Sequence, residues 1–341
     1  MGSVTVVACL AVLLGCGEGS GAGDDGSDPI PDGGAEQDAA APLECEEQEL
    51  ASWTAAAAAS LAVDDVSVYW TQGDRDTGDT SYPNTGSVGI VPIGGGAVGS
   101  LASSQSGTRT IVAAGPEVYW LTSGYSGNGV VHRHTLAGGE TLSLGVSPDP
   151  VGLALDDTHA WWTDGVDFAL MRVPRSGAER ESVVAPIEGV PAGVATGVDD
   201  VYWSTGEGVF VLAHSGGEPT QVSDRGTSRP SFALDDTHAW LIAGEDLVRV
   251  PLDGGAAETI LSGSGAYDGP VYSFVLAPDR IWVARAVDVV AVERETWRTD
   301  LVMSNPDGVQ VTAIAANATD LFLATFDGGP REARIVRLTC R

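Results

Sequence analysis

The feature that constrains this chain most is a pair of adjacent large apolar residues that returns seven times. The pairs are Tyr69-Trp70, Tyr119-Trp120, Trp161-Trp162, Tyr202-Trp203, Trp240-Leu241, Trp282-Val283 and Phe322-Leu323, and their first members are 50, 42, 41, 38, 42 and 40 residues apart. A period near 40 that carries only β-type signals suits a blade of four short strands. Helical repeats of that length would need amphipathic runs of three turns, and none is present. The one helix-like stretch, Ala55–Ala59, joins two expected strands. Neighbouring side chains on a strand point to opposite faces. A sheet covered on one face would leave half of every pair in water, whereas a ring of sheets buries both halves. The expected fold class is all-β, a seven-bladed β-propeller of four-stranded blades.

Blade 3 shows the unit most clearly, with expected strands at Val151–Leu155, His159–Thr163, Phe168–Val173 and Glu181–Ala185. Glycines recur between third and fourth strands, as Gly94-Gly95-Gly96, Gly138-Gly139, Ser176-Gly177, Gly216-Gly217 and Gly254-Gly255. Tight hairpins require the positive φ that glycine adopts freely. Blade 6 departs, with Arg294-Glu295-Thr296-Trp297 at that place. The acidic pairs Asp64-Asp65, Asp156-Asp157, Asp199-Asp200 and Asp235-Asp236 read as one recurring turn, because Asp bonds its own backbone there. A catalytic carboxylate pair would be unique, not repeated around a ring. His159 and His238 share one Asp-Asp-Thr-His-Ala-Trp context and belong to the same repeat. His132 and His134 share a strand face at metal-ligand spacing, yet no third ligand accompanies them.

The seventh repeat stops one strand short, after Ala333–Leu338, while Glu46–Trp53 precedes the first strand and belongs to no repeat. Leu50 lies 14 residues before Asp64, as Leu142 lies 14 before Asp156. The N-terminal strand is therefore expected to complete blade 7 and close the ring, covering an open sheet edge. That register puts Cys45 and Cys340 beside each other, where the closure has no covalent turn, and a disulfide between them is expected.

The ends supply an address. Val4–Leu14 is an apolar run too short to span a bilayer but suited to a secretory signal. It ends in Leu13-Leu14-Gly15-Cys16, which resembles a bacterial lipobox and makes Cys16 the expected lipidation site. No Arg or Lys precedes the run, the first being Arg75. Residues 1–15 read as a lipoprotein signal peptide, 16–44 as a disordered acidic tether rich in Gly, Asp and Ala, and 45–341 as the propeller. The expected location is the bacterial cell envelope, on the outer membrane or cell surface, with acylated Cys16 the only contact with the bilayer. A net charge of -30 excludes nucleic acid as a partner, since a polyanion is repelled. The chain is expected to be a monomer.

Tyr69-Trp70-Thr71-Gln72, Trp161-Trp162-Thr163-Asp164 and Tyr202-Trp203-Ser204-Thr205 resemble the Tyr-Trp-Thr-Asp propeller repeats of low-density-lipoprotein-receptor-type proteins. Arg133, Arg172, Arg249 and Arg337 stand at matching places on the following strand. The resemblance spans residues 46–341. Only blade 3 keeps the fourth-position aspartate, and that family has six blades where this chain has seven. Bacterial seven-bladed propeller lipoproteins are the nearer resemblance, and fold alone assigns no activity.

Two places remain for a ligand. The loop Gln72–Gly86 carries Asp74, Asp76 and Asp79, hard oxygen donors suited to calcium, although Arg75 stands among them and no bidentate Glu follows. The connections from a fourth strand into the next blade surround the channel mouth and carry Arg109, Asp149, Arg229, Tyr267 and Asp268. These differ between blades, and non-repeated polar residues on a repeated scaffold mark a candidate ligand site. The leading functional reading is a non-catalytic binding or scaffolding propeller for an unidentified protein or small molecule. Its competitor is a metal-dependent lyase or lactonase-like enzyme at the channel mouth, which needs histidines converging with carboxylates, and these loops carry no histidine.

Overall fold

A computed structural model describes residues 8–9, 43–54, 56–73, 86–123, 129–177, 179–227, 229–263, 270–285, 288–304, 308–329 and 331–341. Seven antiparallel sheets follow one another along the chain, each running from an innermost to an outermost strand. The innermost strands are Ala58–Val63, Thr108–Ala114, Pro150–Leu155, Pro191–Thr196, Phe232–Leu234, Val271–Leu276 and Val309–Ala316. Ala58 and Ala59 thus open a strand, not a helix. A two-residue strand, Ala8–Cys9, pairs with Leu61 and Ser60 on the inner edge of blade 1.

Blade 7 is built as the ends of the sequence require. Val309–Ala316, Asp320–Asp327 and Glu332–Cys340 supply three strands, and Cys45–Thr54 supplies the outermost. The closing strand pairs from Cys45↔Cys340 through Thr54↔Glu332, and the two cysteines are disulfide-bonded.

The aromatic pairs work in the way their spacing demands. Seven core clusters each span two adjacent blades, joining the first member of one pair to the second member of the next. Tyr69 packs with Trp120, Tyr119 with Trp162, Trp161 with Trp203 and Tyr202 with Leu241. Trp240 joins Val283, Trp282 joins Leu323, and Phe322 closes the circle on Trp70. All fourteen are buried. Burying a large apolar side chain on each face of every sheet, aromatic on at least one, is the main cohesive force of the ring.

A second apolar set was not visible in the period-2 pattern. Each outermost strand carries a β-bulge, and the extra residue is Leu101, Leu144, Val183, Val222, Ile260, Val302 or Leu50. All seven pack into or against the inter-blade clusters. A bulge turns two successive residues against one partner, so an otherwise exposed strand dips one side chain inward. Leu50 therefore corresponds to Leu144, not to Leu142 as equal spacing from the Asp turn suggested.

Innermost strands approach so closely that a side chain is excluded in places. A Cβ on Gly193 would stand 2.2 Å from Phe232 Cβ. Hydroxyls bridge the gap elsewhere. Thr71 donates to Arg109 O at 2.6 Å, Thr163 to Ala192 O at 2.7 Å and Thr196 to Leu155 O at 2.7 Å.

The topology defines two faces. One, the mouth face, carries the connections from fourth strands into the next blade and the turns between second and third strands. The other, the hairpin face, carries the first-to-second turns and the third-to-fourth hairpins. On it Gly95, Gly139, Gly177, Gly216 and Gly254 all have positive φ, as hairpins require. In blade 6 that conformation falls to Trp297, at φ 59°, whose ring is covered by the Arg249 guanidinium at 4.5 Å.

Candidate functional site

On the hairpin face the repeated acids are construction. Asp156 Oδ1 accepts the amides of Thr158 and His159, both at 2.6 Å, and its Oδ2 accepts the Trp161 indole N–H at 2.6 Å. Asp235 repeats this with Thr237, His238 and Trp240. Asp64 does so with Val66, Ser67 and the Tyr69 hydroxyl. One carboxylate thus shapes the turn and holds the polar tip of the buried aromatic. Burial opposes ionisation of Asp156 and Asp235, but these donors hold both carboxyls below the usual range. Asp199-Asp200 corrects the expected register. Gly197 N donates to Asp200 O as Asp156 N does to His159 O, so Gly197 occupies the turn position in blade 4. Asn317 takes it in blade 7, accepting from Thr319 and Asp320.

The histidines are absorbed by packing. His132 stacks on Trp120 with ring centroids 5.1 Å apart and meets the Thr122 hydroxyl at 3.3 Å. Burial pulls its pKa down to about 4. His134 instead meets Thr141 Oγ1 at 2.8 Å. His214 stacks on Trp161 at 5.5 Å. Among the described residues no three His, Cys, Asp or Glu side chains are grouped to hold a metal ion.

The strand-three arginines tie blade to blade. Arg172 donates to His214 O at 3.0 Å and Arg337 to Ile93 O at 2.9 Å, while Arg133 reaches Arg175 O. Arg249 departs, forming a double hydrogen bond with Glu258 while covering Trp297.

The mouth face holds the candidate ligand residues. Arg109, on the innermost strand of blade 2, is ion-paired with Asp149 at 2.8 Å and donates to Pro150 O at 3.2 Å. About a third of each side chain in that pair is exposed. Arg229 makes the corresponding reach from blade 5 to blade 6, donating to Val271 O at 3.4 Å with its guanidinium 5.9 Å from the Tyr272 ring. Both arginines therefore reach across to the first residue of the next blade's innermost strand while staying partly exposed at the mouth. Among the described residues no hydrogen bond or ion pair joins the Arg109–Asp149 pair to Arg229. Tyr267 and Asp268 lie outside the described residues, as do Cys16 and the calcium candidates Asp74, Asp76 and Asp79.

The residue that organises this region is Asp164, the fourth-position aspartate that only blade 3 keeps. It is fully buried. Its Oδ1 accepts the amides of Val166 at 2.9 Å and Asp167 at 2.8 Å. Its Oδ2 accepts the Asp149 amide at 3.2 Å and the Ser147 hydroxyl, which in turn accepts the Trp162 indole N–H at 2.8 Å. A buried carboxylate with several donors is a stable anchor. It fixes residues 147–149 against 165–167 and so presents the Asp149 carboxylate to Arg109. In the sequence Asp164 stands out only as the one fourth-position aspartate among seven repeats.

No family model and no curated protein sequence matches the chain. Solved structures do share its architecture. The Staphylococcus aureus virginiamycin B lyase, in a catalytically inactive histidine-to-alanine variant with quinupristin, superposes at TM-score 0.67 and 13% identity, covering 87% of this chain and 99% of that one. A streptogramin B lyase superposes at TM-score 0.67 and 11% identity over 88% and 98% of the two chains. A nidogen/laminin complex gives TM-score 0.50 and 14% identity over 65% and 91%. At these identities the likeness is one of fold: a propeller shared by enzymes and by binding modules.

Proposed function

We propose that this protein is a non-catalytic binding propeller, tethered through acylated Cys16 to the bacterial envelope, with its ligand taken at the mouth face around Arg109 and Asp149. One observation carries the reading. All five histidines lie on second or third strands or directly after one, none of them on an innermost strand or a connection at the mouth. The blade-specific polar pair at the mouth is instead a salt bridge held by a buried anchor, an arrangement suited to recognition. Cys16 at the end of an apolar run supports the lipid anchor, and the acidic tether supports a domain held away from the bilayer.

The lyase reading is favoured by the superposition on virginiamycin B lyase, so the test includes it. Quinupristin incubated with the purified chain should be recovered unchanged by chromatography. Conversion that disappears in the Arg109→Ala, Asp149→Ala variant would replace the binding reading with an enzymatic one. In envelope extract the wild type should retain a ligand that this variant loses. Labelled palmitate should enter the wild type and not Cys16→Ala.

A further inference from the structure

Eight large apolar residues stand exposed among the described residues, and four of them gather at the mouth end of blades 2 to 4: Val146 at 48%, Val166 at 59%, Phe168 at 38% and Val190 at 54%. Two independent links bring them together. Asp164 ties the turn holding Val166 to the segment that follows Val146. Phe168 O accepts the Ile187 amide at 2.5 Å, which draws in the connection carrying Val190.

Phe168 is the unusual member. Its φ is 50°, a region that a bulky residue occupies only at a cost in strain. Blades 4 and 5 make the turn between second and third strands with two residues, Gly206-Glu207 and Gly244-Glu245, where blade 3 uses four and ends on Phe168. Blade 3 holds an aromatic ring outward in a conformation that glycine would adopt freely. Clustered apolar side chains at one site mark an interaction surface, which scattered ones do not.

The surrounding charge selects the partner. The turns 145–149, 164–168, 186–190 and 205–208 contain no Arg or Lys and carry Asp149, Asp164, Asp167, Glu188 and Glu207. Asp149 is paired and Asp164 buried, whereas Asp167, Glu188 and Glu207 are exposed. Gly189 lies against Glu207, its Cβ position 2.9 Å from Glu207 Cγ, so the turn carrying Glu188 and Val190 adjoins the one carrying Glu207, with exposed Arg225 at its far edge. A second copy of a chain with net charge -30 would be repelled. We infer that this surface docks a polypeptide segment that is both basic and apolar, its aliphatic or aromatic side chains on Phe168 and the valines and its Arg or Lys on Asp167, Glu188 and Glu207. The inference rests on the binding reading and names the partner class.

The test uses the full lipidated chain in detergent and fluorescent octapeptides of alternating Arg and Leu, Glu and Leu, or Arg and Gly. The Arg-Leu peptide should bind at least tenfold more tightly than either of the others. Val166→Ser with Phe168→Ser should weaken it at least tenfold, and Val66→Ser with Val198→Ser, on the hairpin face, less than twofold. Val190→Ser repeats the measurement without altering the strained turn. Equal loss from both faces, or no preference for Arg-Leu, overturns the inference. So does self-association of the wild type that Phe168→Ser abolishes, which would make the occupant a second copy. If Arg109→Ala, Asp149→Ala still releases a retained ligand in those cases, the binding reading stands and only this surface falls.

Discussion

Blades 3 and 5 are near twins at one end and strangers at the other. Both read Leu-Asp-Asp-Thr-His-Ala-Trp through the first turn, and Asp156 and Asp235 accept the same two backbone amides and the same indole N–H, Asp235 accepting Arg294 in addition. At the mouth they part. Blade 3 has buried Asp164, a four-residue turn and exposed Val166 and Phe168, where blade 5 has Ala243 and the two-residue turn Gly244-Glu245. The hairpin face is held constant by what a blade needs to exist. The mouth face is relieved of that duty, and it is there that one twin carries side chains the ring does not require.

The largest expected effect treats the twins alike. Cys45→Ser with Cys340→Ser should lower the unfolding free energy by about 4–5 kcal/mol in the chain-entropy picture, read from denaturant midpoints with and without reductant. Trp161→Ala and Trp240→Ala should each cost about 3–5 kcal/mol, and a difference beyond about 1 kcal/mol would show that the matched ends are not energetically matched. Asp164→Ala should cost about 2–3 kcal/mol, because it strands the buried donors that the carboxylate satisfies. Ala243→Gly, at the corresponding position in blade 5, should cost about 1 kcal/mol or less.

Acid provides a further separation. His132 is neutral in the fold, with its pKa lowered from 6.5 to about 4. Its contribution is present above pH 6.5 and is lost as pH falls towards 4. His132→Gln should flatten stability against pH across that window, as read from denaturant midpoints at a series of pH values. The smallest effects have opposite signs. Phe168→Gly should stabilise blade 3 by about 1 kcal/mol through release of left-handed strain, and Gly244→Ala, at φ 67°, should destabilise blade 5 by a similar amount. Thermal unfolding of the pair would read both.

What the sequence made legible was whatever repeats or brackets. The aromatic pairs identified both faces of every blade, and Cys45 with Cys340 identified the seam. The inward bulge residues were hidden because a bulge breaks the two-residue alternation that strand reading relies on. Asp199-Asp200 misled for a related reason: two acids near a turn look alike in sequence, and only the bond from Gly197 N to Asp200 O fixes which position each occupies. Arg109 and Arg229 read as blade-specific in the sequence, yet each also reaches the innermost strand of the next blade, a long-range role that local composition does not encode. Asp164 was legible as an exception, and its meaning needed the four groups that converge on it.

The seam has a mechanical consequence. A pull on the residues before Cys45 would meet a ten-residue edge strand end-on, the geometry in which a ladder opens like a zipper, one rung at a time. The first rung, however, is covalent. Force arriving at Cys45 passes into Cys340, so the edge strand cannot be peeled away alone. Were the domain moored by its N-terminus, as proposed, its strongest link would lie at the point where the mooring line meets it.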